Sequence, residues 1–226
     1  MSFLTDLLSV VTAGSMVLSG AIGTAAPQHN INGMLFLVNR QYRVSDAYEP
    51  DDLVLVNAIG NERVRKMREE AAAALEEMYA ACKEETGKTL IAVSGFREYS
   101  KQEHLYNNKI NQMHGDVAKA EEYVAPPGAS EHHLGLAMDI GQQSEPTLNE
   151  KFADTAGGIW VRENCWRFGF ILRYGEDWEE ITGYKYEPWH FRYVGVEPAR
   201  YMMDNNLCLE EFLLMYEGND VFLPKP

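Results

Sequence analysis

The stretch "SEHHLGLAMDI", Ser130 to Ile140, sets two histidines side by side and then an aspartate inside an apolar run. Leu136, Met138 and Ile140 alternate with Ala137 and Asp139, the period of a half-buried strand. An unpaired ionised carboxylate inside such a strand is strongly unfavourable, so Asp139 requires a cation or strong donors. His132 lies a few positions earlier, beyond Gly135, where the chain can bend. The question is which histidine, if either, belongs with Asp139.

The flanking segments supply the rest of the architecture. Immediately upstream, "APPGAS" (Ala125 to Ser130) is a turn that breaks regular structure. "TLIAVSGF" (Thr89 to Phe96) reads as a buried strand. From Asn61 to Thr86 the apolar positions Val64, Met67, Ala71, Ala74, Met78 and Cys82 step by three or four, predicting an amphipathic helix stopped by Gly87. Ser100 and Glu103 predict a capping box opening a helix through about Asn111. "MLFLVNRQYRV" (Met34 to Val44) predicts a strand entering an extended segment, with "YEPDDLVLV" after it. Helix is expected from about Gly158 to Arg167, then strands at "FILRYG" and "WHFRYVG", then a terminal helix at "LEEFLLMYEG". Helices and strands alternate irregularly, which indicates an α+β domain with a small, mainly antiparallel sheet flanked by helices.

The 226 residues suffice for one well-buried domain, expected over 31–226, after a leader at 1–30. Mean hydropathy is -0.33, and 34 acidic against 20 basic residues give a net charge of -14 and a pI near 4.8. Such a surface repels phosphate backbones and argues against a nucleic-acid partner. The densest basic cluster, Arg63, Arg65, Lys66 and Arg68, runs into Glu69 and Glu70 and reads as a solvated helix face. Cys82, Cys165 and Cys208 are widely spaced and odd in number, which suggests neither a disulfide framework nor a thiolate metal site. From Leu7 to Asn39 there is no Asp, Glu, Lys or Arg, and "LLSVVTAGSMVLSGAIGTAA" ends in small residues like an export signal. Asp6 stands where a positive n-region belongs, so the alternative is a membrane anchor. Export to the cell envelope is the expectation.

Downstream, "YEPWHFRYVG" offers Glu187 and His190. Two imidazoles and one carboxylate, with a fourth position left to water, make a catalytic zinc set, and a further carboxylate can take a proton from the water. Residues three apart on an unbroken strand face opposite sides, so Pro188 must break it, with Glu187 in the turn and His190 on the strand. Each residue also has a plainer reading. A lone histidine beside a strand is commonly a hydrogen-bonded core residue, Asp139 can cap a turn, and Glu187 can pair with Arg192 or Lys185 at the surface.

"SGFR", "PPGASEHHLGLAMDI", "GFILRYG" and "ITGYKYEPWHFRYVG" together resemble the VanY-type D-alanyl-D-alanine carboxypeptidases, zinc peptidases of the bacterial cell wall, over about Leu35 to Glu217. The joined S-x-H-x-x-G-x-A-x-D and E-x-W-H patterns are highly specific. The resemblance implies a hedgehog/D,D-peptidase-like fold and one Zn2+ held by His132, Asp139 and His190. It makes Glu187 the general base and then the general acid, and Arg97 the holder of the substrate carboxylate or of the oxyanion. Ser130, Gln102 and Tyr174 resemble substrate contacts, with a solvent-facing helix position as the rival for Gln102. Trp189 resembles a cleft wall, with core packing as its rival. His133 falls where the family commonly has Gln; His29, His104 and His114 match no motif and are expected at the surface.

The activity implied is removal of the terminal D-Ala from peptidoglycan stem peptides, without a covalent acyl-enzyme. Ser130 lacks the S-x-x-K or G-x-S-x-G context of a nucleophile. The alternatives are L,D-carboxypeptidase action on tetrapeptide stems and a noncatalytic wall-binding module. Retention of Glu187 argues against the module, because a structural zinc site has no need of a free base.

Overall fold

The structure, a computed structural model, describes residues 27–216. Residues 1–26 of the expected leader, and with them the export and anchor readings, lie outside the described residues. Among the described residues no helix is long and apolar enough to cross a membrane.

A four-stranded antiparallel sheet is built from β3 (Leu90–Ser94), β4 (Ala137–Gln142), β5 (Phe170–Leu172) and β6 (His190–Tyr193), in the order β3-β4-β6-β5. A separate pair joins β1 (Leu53–Leu55) to β2 (Lys66–Arg68). The helices are α1 (Glu69–Thr86), α2 (Tyr99–Gln112), α3 (Val117–Glu121), α4 (Ala156–Asn164), α5 (Glu179–Thr182), α6 (Val196–Asn205) and α7 (Leu209–Leu213). This is the expected α+β domain.

The period-two alternation decides the faces. Met138, Ile140, Phe191 and Tyr193 point into the larger core with Ala71, Leu75 and Met78 of α1 and Trp160 and Val161 of α4. A smaller core joins Ile171 and Val194 to α6 and α7 through Met202, Phe212 and Leu213. Asp139, His190 and Arg192 occupy the alternate positions. Contrary to a half-buried strand, every residue of β4 is buried, because that second face is covered by charged side chains instead of water.

Several expectations are corrected. Met34–Val44 forms turns, not a strand. Leu35, Phe36, Leu37, Val38 and Val44 are buried, but the Arg192 guanidinium donates to Met34 O and Phe36 O at 2.9 Å, and the Gln28 amide pairs with both backbone groups of Leu37. Those side chains take the bonds that a neighbouring strand would need. The long helix starts at Glu69, not Asn61, because Lys66–Arg68 pairs with Leu53–Leu55 as β2. The basic cluster is therefore no helix face; Arg68 ends β2 and pairs with Asp52 at 2.9 Å. No capping box forms at Ser100. The N-cap of α2 is Glu98, without a side-chain bond, so Ser100 falls inside the first turn. The helix expected over 158–167 is α4 followed by a 3-10 turn at Cys165–Phe168. Helix α6 has no counterpart in the sequence reading.

Candidate active site

The sheet register builds the site. Asp139 sits between Ser94 of β3 and His190 of β6, its partners on either side. The register shifts between Ala92 and Ser94, a bulge that lets the chain leave the sheet towards Arg97. His132 comes from a short 3-10 helix, Glu131–Leu134, which ends at Gly135 with φ 64°. A Cβ at Gly135 would lie 2.8 Å from the Leu53 side chain, so only glycine makes this bend. The bend folds His132 back beside the residue it precedes by one turn and half a strand.

His190 Nδ1 lies 3.0 Å from Asp139 Oδ1, and His132 Nε2 lies 3.3 Å from Asp139 Oδ2. One ligand atom from each of the three residues falls within 4.8 Å of the others. The remaining ring nitrogens are engaged: His132 Nδ1 is 2.8 Å from Gly95 O, and His190 Nε2 is 3.2 Å from Glu131 Oε2. Each contact calls for an N–H donor, which leaves His132 Nε2 and His190 Nδ1 as lone pairs aimed at a carboxylate. Three acceptors converging in a buried place fit a cation, and two imidazoles with one carboxylate fit Zn2+.

The electrostatics show the same deficit of positive charge. Burial, helped by Asp139 and opposed by His190 and Arg97, leaves the Glu187 carboxyl raised to about 7. Burial lowers the His132 imidazole, and Arg97 beside it adds to this. Burial opposes protonation of His190 too, but carboxylates on both ring nitrogens push it up to about 9. Without a metal, a proton on His190 stands in for the cation. Burial alone would raise Asp139; the two histidines outweigh it and hold the carboxyl well below its usual range.

Glu187 Oε2 is 3.9 Å from His190 Nδ1, on the turn before β6, where the His190 N–H donates to Glu187 O at 3.0 Å. Arg97 is anchored by Ser94 Oγ at 2.8 Å and Gln102 Oε1 at 2.7 Å, and lies 3.7 Å from Asp139 Oδ2. Gln102 is buried, not solvent-facing, and its amide also donates to Ala125 O at 2.6 Å. The Tyr174 ring lies 4.9 Å from the His190 ring, tilted 39° to it. Ser130, Tyr174 and Trp189 line the same cleft of about 370 Å3 as His132, Asp139 and His190, and the cleft runs on along α2 to Lys109. Trp189 also packs against the larger core.

His133 points away from this group. It bonds Arg97 O through Nδ1 at 2.7 Å and accepts from the Gly128 N–H through Nε2 at 3.2 Å. It fastens the Arg97 segment to the "APPGAS" turn. His29, His104 and His114 are exposed.

Sequence reasoning missed Glu131. It is buried behind His190 and paired with Arg173 and Arg192 at 2.8 and 2.9 Å. The signal was available: two arginines inside apolar strands need a buried carboxylate as much as Asp139 needs a cation.

A family model described as VanY, D-alanyl-D-alanine carboxypeptidase, matches residues 64–196. The chain belongs to the VanY family. It is 47% identical over 188 residues to YodJ of Bacillus subtilis (strain 168), whose name assigns it to the carboxypeptidases, covering 81% of this chain and 68% of that one. It is 38% identical to a D-alanyl-D-alanine carboxypeptidase of Enterococcus faecalis, covering 79% of this chain and 65% of the relative. The chain thus spans about two thirds of the length of these curated relatives. Among solved structures, the LdcB LD-carboxypeptidase superposes with a TM-score of 0.77 at 45% identity, over 83% of this chain and 89% of that chain. VanYB in complex with D-alanine-D-alanine superposes with a TM-score of 0.68 at 35% identity, over 80% and 97%. The VanY family's hydrolase fold is therefore this chain's fold.

Proposed function

We propose that this chain is a zinc-dependent D-alanyl-D-alanine carboxypeptidase that removes the terminal D-Ala of peptidoglycan stem peptides. The observation that carries the reading is the convergence of His132 Nε2, Asp139 and His190 Nδ1 within 4.8 Å, with Glu187 leaning over the same cleft. His132, Asp139 and His190 hold the metal. When bound there, Zn2+ supplies Lewis acidity, polarising the scissile carbonyl and acidifying water.

The protein's own groups do the rest. Glu187, with its affinity for protons raised by burial, takes one from the attacking water as the C–O bond forms. It returns that proton to the amine nitrogen of D-Ala as the C–N bond breaks. Arg97, fixed by Ser94 and Gln102, holds the substrate's terminal carboxylate or the developing oxyanion without having to reorganise. Ser130, Tyr174 and Trp189 wall the cleft around the terminal residues, and its extension along α2 leaves room for residues upstream of the scissile bond. Such a substrate calls for a protein on the outer side of the cytoplasmic membrane, with the apolar leader as export signal or tether.

The likeness to an LD-carboxypeptidase supports a second reading, release of D-Ala from an L-centre on tetrapeptide stems by the same apparatus. Stems ending in D-Ala-D-Ala or in L-Lys-D-Ala, followed by mass detection of products, separate the two. Release from the first, abolished by EDTA and indifferent to penicillin, is expected. Activity that survives EDTA and is abolished by penicillin would overturn the metal mechanism.

A further inference from the structure

We infer that Glu131 is a positioning residue for the metal centre: its carboxylate retains the proton on His190 Nε2, so that the ring offers Nδ1 to the metal. The inference rests on the metal reading above and goes one layer behind it.

The two oxygens of Glu131 are used differently. Oε1 accepts from Arg173 Nε at 2.8 Å and from an Arg192 terminal nitrogen at 2.9 Å. Oε2 faces His190 Nε2 at 3.2 Å. A purely structural ion pair would place both oxygens on the guanidinium groups, as Glu210 does with Arg173 at 2.6 and 2.8 Å. Here one oxygen is kept for the imidazole.

The surroundings fix Glu131 in that pose. Arg192 is itself anchored by Tyr193 O, Met34 O and Phe36 O. Arg173, Arg192, Glu131 and Glu210 are each no more than 1% exposed. Two guanidinium and two carboxylate groups cancel, so the cluster has no need of a charge on His190. With both guanidinium donors on Oε1, Oε2 is the acceptor facing the ring at 3.2 Å, and the proton between it and the imidazole belongs to Nε2. Loss of such a partner frees the ring to tautomerise and rotate, and typically weakens metal binding or activity about 10–100-fold.

The test compares Zn2+ affinity, by competition with a chromophoric chelator, and the visible spectrum of the Co2+-loaded protein. Glu131→Gln is expected to bind Zn2+ about 10–100-fold more weakly and to shift the Co2+ bands. Glu210→Gln removes the same charge from the same cluster without touching His190, and is expected to leave the Co2+ bands in place. Should Glu131→Gln fail to fold, the double variant Glu131→Gln/Arg192→Met removes one charge of each sign and is expected to show the same weakening. Native Zn2+ affinity and an unchanged Co2+ spectrum in a folded Glu131 variant would overturn the inference, as would an equal effect of Glu210→Gln. A native chain that binds no Zn2+ would instead overturn the metal reading itself.

Discussion

His190 divides two groups of buried charges that are handled in opposite ways. Behind it, Glu131 and Glu210 are matched by Arg173 and Arg192, with contacts of 2.6 to 2.9 Å. In front of it, Asp139 and Glu187 face one guanidinium, Arg97, which stands 3.7 Å from Asp139, and otherwise depend on a proton on His190. The rear group is complete without any ligand. The front group is short of positive charge, and its elevated Glu187 and doubly engaged His190 are the symptoms. A protein that can neutralise carboxylates so thoroughly on one side of a ring leaves them unneutralised on the other where a divalent cation has work to do. Satisfied charge makes a scaffold; unsatisfied charge makes a site.

The largest effect that would break this contrast is expected at Glu187. Glu187→Gln should lower turnover by about 10²–10⁴-fold with zinc content unchanged, by D-Ala release and metal analysis. The metal-free variant should be no less stable than the native chain at pH 8, where the ionised carboxylate is disfavoured by its burial. A marked loss of stability would make Glu187 part of the scaffold.

The opposite pattern is expected behind the ring. Arg173→Met leaves Glu131 and Glu210 with one arginine and should destabilise the metal-free protein by about 3–5 kcal/mol in urea unfolding. Stability close to native would mean that the rear cluster is not the compensated unit its contacts indicate.

Zinc affinity should depend on pH through the front group. In the metal-free protein His190 carries a proton below about 9, and the metal must displace it. Apparent affinity should therefore rise about tenfold per pH unit between roughly 6 and 8, measured by chelator competition. Affinity independent of pH would show that no proton stands in for the cation.

The smallest effect is expected at His133. Burial depresses this imidazole from 6.5 to about 4, against its bond to Arg97 O. The unfolded chain therefore takes up the proton first, so this contribution to stability is present above 6.5 and is lost as pH falls towards 4. Gln has one donor and one acceptor for the same two bonds, so His133→Gln should remove an acid-side loss on the order of 1–2 kcal/mol. Parallel pH profiles of urea midpoints for the two proteins would contradict this.

How much of this was legible in the sequence follows from how local each determinant is. His132 and Asp139 are separated only by a glycine bend and half a strand, and Pro188 marks the break that frees Glu187 from the His190 strand. The alternation of Leu136, Met138 and Ile140 correctly gave the core face of β4. Glu131 was not legible in the same way, because its partners Arg173 and Arg192 lie 42 and 61 residues downstream. Gln102 resembles a substrate contact in the sequence, with a surface helix position as the rival, and neither reading could show that Arg97 and Ala125 O claim both ends of its amide. The failed strand at Met34–Val44 has the same origin: apolar residues predicted pairing, but the Arg192 side chain had taken the carbonyls. What sequence periodicity could not show was long-range competition for polar groups.

The most direct test is a crystal of the Zn2+-loaded protein, with anomalous differences collected on both sides of the zinc absorption edge. One peak is expected in the cleft, within coordination distance of His132 Nε2, an Asp139 oxygen and His190 Nδ1, with Glu187 unligated beside it. No peak there, or a zinc ion held by other side chains, would contradict the account.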